Sequence, residues 1–78
     1  MSLRQRFASA VFHARKEMGI TQDQAAEALG ISTGWFQQIE YGHVVPGGEL
    51  VIKIFVFFGI NGIDLREDLF VDVSVHNR

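Results

Sequence analysis

The chain contains no cysteine, a single proline, no long uncharged apolar run and no excess of basic charge. Without cysteine, neither a disulfide nor a thiolate metal site can staple the fold, so a domain of 78 residues must be held by helix packing or by a partner subunit. A reducing cytoplasm suits such a chain. No stretch approaches the about 20 apolar residues of a membrane span. The N-terminal segment MSLRQRFASAVFHARKEMG is too interrupted by charge for a signal sequence. The protein is therefore expected to be soluble and cytoplasmic, with no membrane partner. Catalytic signatures are missing too. His13, His43 and His76 are scattered, and no nucleophile elbow or phosphate-binding glycine motif occurs. His13 and Glu17, four residues apart, read as a solvated helix face rather than two metal ligands. No enzyme activity, cofactor or metal is expected.

What is present is helical punctuation. Ser2 and Gln5 can form a capping box that opens a helix over residues 3–18, with Leu3, Phe7, Ala10, Val11, Ala14 and Met18 spaced by three and four along one apolar face. Thr21 and Gln24 repeat the device for a second helix. Gly30 can adopt the left-handed conformation that ends it, and Ser32 can cap a third helix over residues 33–41, before Gly42. Ala25, Ala26 and Leu29 from the second helix and Phe36 and Ile39 from the third complete a small core, with Ile31 plugging the turn. After the loop HVVPGG, a fourth helix runs over about 49–58 and a short fifth over about 64–69. Val71, Val73 and Val75 alternate with Asp72 and Ser74, the one strand candidate. The expected architecture is all-α: a five-helix domain over residues 1–70 and a tail over 71–78 that forms a short C-terminal strand.

Two short helices joined by a three-to-four-residue turn, over residues 20–42, have the layout of a DNA-reading helix-turn-helix. The ordered pieces are Arg15-Lys16-Glu17-x-Gly19, Thr21-Gln22, Ala26, Leu29-Gly30-Ile31-Ser32, Ile39-Glu40-x-Gly42, Pro46, Lys53-Ile54 and Phe58-Gly59-Ile60. In these residues the chain resembles the phage repressor and Cro family of helix-turn-helix proteins, also called the xenobiotic-response-element type. The resemblance covers roughly residues 3–65.

That resemblance implies a sequence-specific DNA-binding transcriptional regulator, a dimeric repressor or controller whose third helix lies in the major groove of a palindromic double-stranded site. It places Thr33, Gly34, Gln37 and Gln38 toward bases and nearby phosphates, Gln38 foremost. Glutamine suits this role because its amide can bond bidentately to adenine. Gln22 matches a phosphate-binding position at the start of the second helix, where free N–H groups favour an anion. Arg15 and Glu40 match a structural ion pair.

Three features pull the other way. Gly34 stands inside a helix, where glycine costs about 1 kcal/mol against alanine and offers no base contact of its own. Trp35 takes a position the family usually gives to a small hydroxyl or charged residue, and packing against the core edge is the expectation for it. The formal net charge is -2. Residues 1–42 balance Arg4, Arg6, Arg15 and Lys16 against Glu17, Asp23, Glu27 and Glu40, so few cations remain for phosphates. A protein-interaction module of antirepressor or antitoxin type, keeping the fold with weak or no DNA binding, therefore stands as the alternative function. A homodimer is expected on either account. The fourth helix is apolar nearly all round, and Leu50, Val56 and Phe57 are expected to be left outside the monomer core. Val71, Val73 and Val75 would pair across the two-fold axis.

Overall fold

A computed structural model describes residues 2–60 of the chain. Four helices follow one another: α1 (Leu3–Met18), α2 (Gln22–Leu29), α3 (Thr33–Glu40) and α4 (Gly48–Phe58). Among the described residues there is no strand. The expected fifth helix, and the strand with Val71, Val73 and Val75, lie outside the described residues.

Local chemistry sets the helix bounds. The Ser2 hydroxyl accepts from the Gln5 N–H while the Gln5 side chain accepts from the Ser2 N–H, and Thr21 and Gln24 repeat this pair at α2. Each cap satisfies orphan amides and contributes about 1 kcal/mol. At the other end of α2, Gly30 takes φ 73°, and its N–H and that of Ile31 return to the last turn of the helix. A side chain at that φ would be strained, so glycine lets the chain reverse within three residues. Ser32 then accepts from the Trp35 N–H and opens α3. The third helix ends at Glu40, one residue short of the expected bound, because Tyr41 caps it and Gly42 makes the turn at φ 81°.

The four helices close on one apolar cluster: Phe7 and Val11 from α1, Ala25, Ala26 and Leu29 from α2, Phe36 and Ile39 from α3, Ile54 and Phe58 from α4. The two alanines let α2 approach closely. Val11, Phe36, Ile39 and Ile54 are wholly enclosed. Each such large side chain contributes about 1.5–3 kcal/mol of burial. Ring contacts tie α4 to its neighbours, Phe7 with Phe55 at 6.0 Å and Phe36 with Phe58 at 6.3 Å.

Two expectations about the core are corrected. Leu3 and Met18 share the apolar spacing of α1 yet are 53% and 44% exposed. A helix of 16 residues is about 24 Å long, whereas the helices packed on it, α3 of eight residues and α4 of 11, span about 12 and 16 Å, so the ends of α1 overhang the helices that cover its middle. Leu50 and Phe57, expected outside the monomer core, pack against it. At about 100° per residue Phe57, Leu50, Ile54, Phe58, Val51 and Phe55 occupy one continuous arc of about 160°, which α1, α2 and Phe36 of α3 cover. The exposed apolar residues of α4 are Val56, at 78%, and Ile52, at 64%, which the spacing argument had not singled out.

One ion pair sits inside this packing. Arg15 on α1 donates through Nε to Glu40 Oε2 at 2.7 Å and through Nη2 to Glu40 Oε1 at 3.0 Å, and its Nη1 donates to the Ile20 carbonyl at 2.9 Å. Both residues are buried. The hydrogen bonds to Glu40 hold the Arg15 guanidinium above its ordinary pKa against the opposing effect of desolvation. Glu40→Ala would leave that guanidinium buried without its counter-charge. It is expected to cost about 3–5 kcal/mol. Thermal melts of the two proteins, with and without DNA, check this, and an unchanged melting temperature refutes the structural role of the pair.

Candidate nucleic-acid interface

The unit formed by α2, the turn at Gly30, Ile31 and Ser32, and α3 presents a polar outer surface because Phe36, Ile39 and Glu40 turn the other side of α3 inward. Gly34, Trp35 and Gln38 are exposed, and Thr33 and Gln37 are half-buried. These residues and Gln22 are held on one framework. The Thr33 hydroxyl donates to Asp23 Oδ1 at 2.8 Å, joining the first turns of α2 and α3. Gln22 Nε2 donates to Glu40 Oε1 at 2.8 Å, and Gln37 Nε2 donates to Gln22 Oε1 at 3.0 Å. Arg15, Glu40, Gln22 and Gln37 therefore form one chain of hydrogen bonds running from α1 to the half-buried edge of α3.

Gln38 is anchored differently. His43 Nδ1 stands 3.0 Å from Gln38 Oε1, a hydrogen bond when Nδ1 carries the proton. Arg4 Nη1 donates to the His43 carbonyl at 3.3 Å, which brings the start of α1 to the loop after α3. That contact sets a cation beside the same end of α3 as Gln38. Lys16, by contrast, lies over the Phe12 ring at 5.8 Å on α1.

The geometry alters the roles drawn from the sequence. Gln22 has both its side-chain oxygen and its side-chain nitrogen engaged within the protein. Asp23 in the first turn of α2 places a negative charge there, favourable to the helix dipole and unfavourable to a phosphate. Trp35, expected at the core edge, is left 41% exposed, because the apolar stripe of α3 is completed by Phe36 and Ile39. A Cβ built on Gly34 meets no atom within 4 Å, so no neighbour inside the protein demands glycine there. Three pairings escaped the sequence: Thr33 with Asp23, Gln38 with His43 and His43 with Arg4 join residues 10, 5 and 39 apart. Of these only the Gln38–His43 spacing lies close enough along the chain to have been noticed.

Among the described residues no group of His, Asp and Glu side chains converges on a metal site, and no helix is long and apolar enough to cross a membrane. A helix-turn-helix family model matches residues 13–65, which begins in α1 and takes in α2, α3 and α4. Neither a curated protein nor a solved structure matches the chain. Capped α2 and α3 about a left-handed glycine, with that match over more than half the length, place the chain in the Cro/C1-type helix-turn-helix family.

Proposed function

We propose that the protein is a sequence-specific DNA-binding transcription regulator that enters the major groove with α3 and acts as a homodimer, most simply a repressor or controller at a palindromic site. One observation carries this. The outer face of α3 offers Gly34 and Gln38 to solvent while Thr33 and Gln37 are braced from behind by α2. Side chains held this way lose little freedom on binding, and amides match the donor and acceptor edges of base pairs. Phosphate contacts follow from Arg4 beside the loop and from the backbone amides at the start of α2, few enough that each subunit binds modestly.

Dimerisation supplies the rest. Ile52 and Val56 lie one turn apart on α4, beside Ala28, Gly30 and Phe57, and form an exposed apolar strip. A second copy covering it doubles the phosphate contacts and suits two half-sites about one helical turn apart. The exposed Trp35 supports the other reading, a protein-interaction module on the same fold, since a large aromatic in solvent suits a partner surface.

Two outcomes separate these readings, and a third tests the dimer. Gln38→Ala is expected to weaken binding to the selected duplex by about 1–3 kcal/mol while leaving weak binding to scrambled DNA unchanged. Equal losses on both duplexes would end the base-reading role. Gly34→Ala should raise the stability of the free protein by up to about 1 kcal/mol, because the added methyl meets open space and helix propensity improves. The same change should lower DNA affinity if glycine serves close approach to the duplex, and titrations showing undiminished affinity would remove Gly34 from the contact. Val56→Asp should convert a dimer to a monomer in sedimentation at micromolar concentration with little change in melting temperature. An intact chain that sediments as a monomer there would refute the dimer.

A further inference from the structure

The buried ion pair does more than hold α1 to α3, because it dictates which way two glutamine amides point. A guanidinium only donates and a carboxylate only accepts. Glu40 Oε1 already accepts from Arg15 Nη2 at 3.0 Å, so the amide that meets it must present its NH2 group, as Gln22 Nε2 does at 2.8 Å. The Gln22 carbonyl is thereby turned toward Gln37, which must in turn present its own NH2, and Gln37 Nε2 lies 3.0 Å away. Each amide is oriented by its neighbour's chemistry, and reversing either one would set oxygen against oxygen or NH2 against NH2.

The direction established at Arg15 ends at Gln37 Oε1. This oxygen has no hydrogen-bond partner among the described residues, and on the half-buried Gln37 side chain it is not fully enclosed. We infer that Gln37 acts as a base reader of fixed polarity, presenting a carbonyl acceptor to the groove, and that Gln22 is the positioning residue that holds this polarity. A carbonyl acceptor matches bases that carry an amino group on the major-groove edge, adenine through N6 and cytosine through N4. It opposes guanine and thymine, whose edges at that place carry the O6 and O4 acceptors. Adenine gains further from the second N–H of the Gln37 amide, which can donate to N7. A glutamine free to rotate would accept either class of base.

The inference rests on the proposal that α3 reads DNA, and its test separates the two. Randomised duplexes are selected with the full-length chain, with Gln37→Ala and with Gln22→Ala, a change that removes the relay and leaves the Arg15–Glu40 pair in place. The base-pair position whose preference disappears in Gln37→Ala is the one that Gln37 reads. There the unaltered protein should favour adenine or cytosine by about tenfold over guanine or thymine, and Gln22→Ala should reduce this to less than about twofold with the other positions retained. Guanine or thymine at that position, an unaltered preference in Gln22→Ala, or no position lost in Gln37→Ala overturns the inference. The free protein supplies a second measurement. In Gln22→Ala the Gln37 side-chain NH2 resonances should shift and exchange faster with water, and unmoved resonances overturn the relay whatever the DNA result. Moved resonances together with no selected site leave the relay standing, and refute both base reading by Gln37 and the proposed function.

Discussion

The arrangement of the helices depends on the Arg15–Glu40 pair being made inside the protein, between the long first helix and the last turn of α3. Taking two charges out of water costs several kcal/mol per ion, which attraction offsets only when the geometry is good and the remaining hydrogen-bonding groups are satisfied. Here both conditions hold. The fork of the guanidinium meets both carboxylate oxygens, its third nitrogen finds the Ile20 carbonyl, and Gln22 adds a donor to the carboxylate. Such a pair contributes less to net stability than to uniqueness: an α3 rotated or shifted along its axis would leave charges buried and alone. It therefore sets the register in which the outer side chains of α3 are displayed.

The apolar core works toward the same end by a different route. Phe36 and Ile39 are wholly enclosed, which orients α3 about its axis as firmly as the ion pair fixes it along the axis. The opposite face is then left to solvent, polar at Thr33, Gln37 and Gln38 and aromatic at Trp35, and Gly34 is the one place on it without a side chain. Glycine there sacrifices helix propensity without relieving any contact in the protein. That imbalance, a local cost with no internal compensation, is what a surface kept open for a close-approaching partner looks like.

Electrostatics limits what this surface achieves alone. With a formal net charge of -2, Arg15 committed to Glu40 and Asp23 at the head of α2, long-range attraction to a polyanion is weak, so specificity must come from short-range contacts and from avidity. The exposed Ile52 and Val56 acquire their meaning in this context. In the proposed dimer they would be the apolar means of bringing two weakly charged reading heads to one site.

How much of this was legible in the sequence follows from the range of the interactions involved. Capping boxes at Ser2 and Thr21, the glycine reversal at Gly30 and the Ser32 cap involve partners three or four residues apart, or the φ of a single residue, so the sequence by itself determined the helices and the turn between α2 and α3. The polar candidates on α3 were legible because they sit at set offsets within that unit. The partners those side chains bind were not. Gln22 turned to Glu40 and Gln37 turned to Gln22 join residues 18 and 15 apart, and the Thr33 bond to Asp23 spans 10. Periodicity likewise marked Leu3, Met18, Leu50, Val56 and Phe57 as apolar without fixing which of them a neighbouring helix would cover. Only the tertiary structure decided that, because coverage depends on how far α3 and α4 extend beside α1 and how wide an arc of α4 its neighbours enclose.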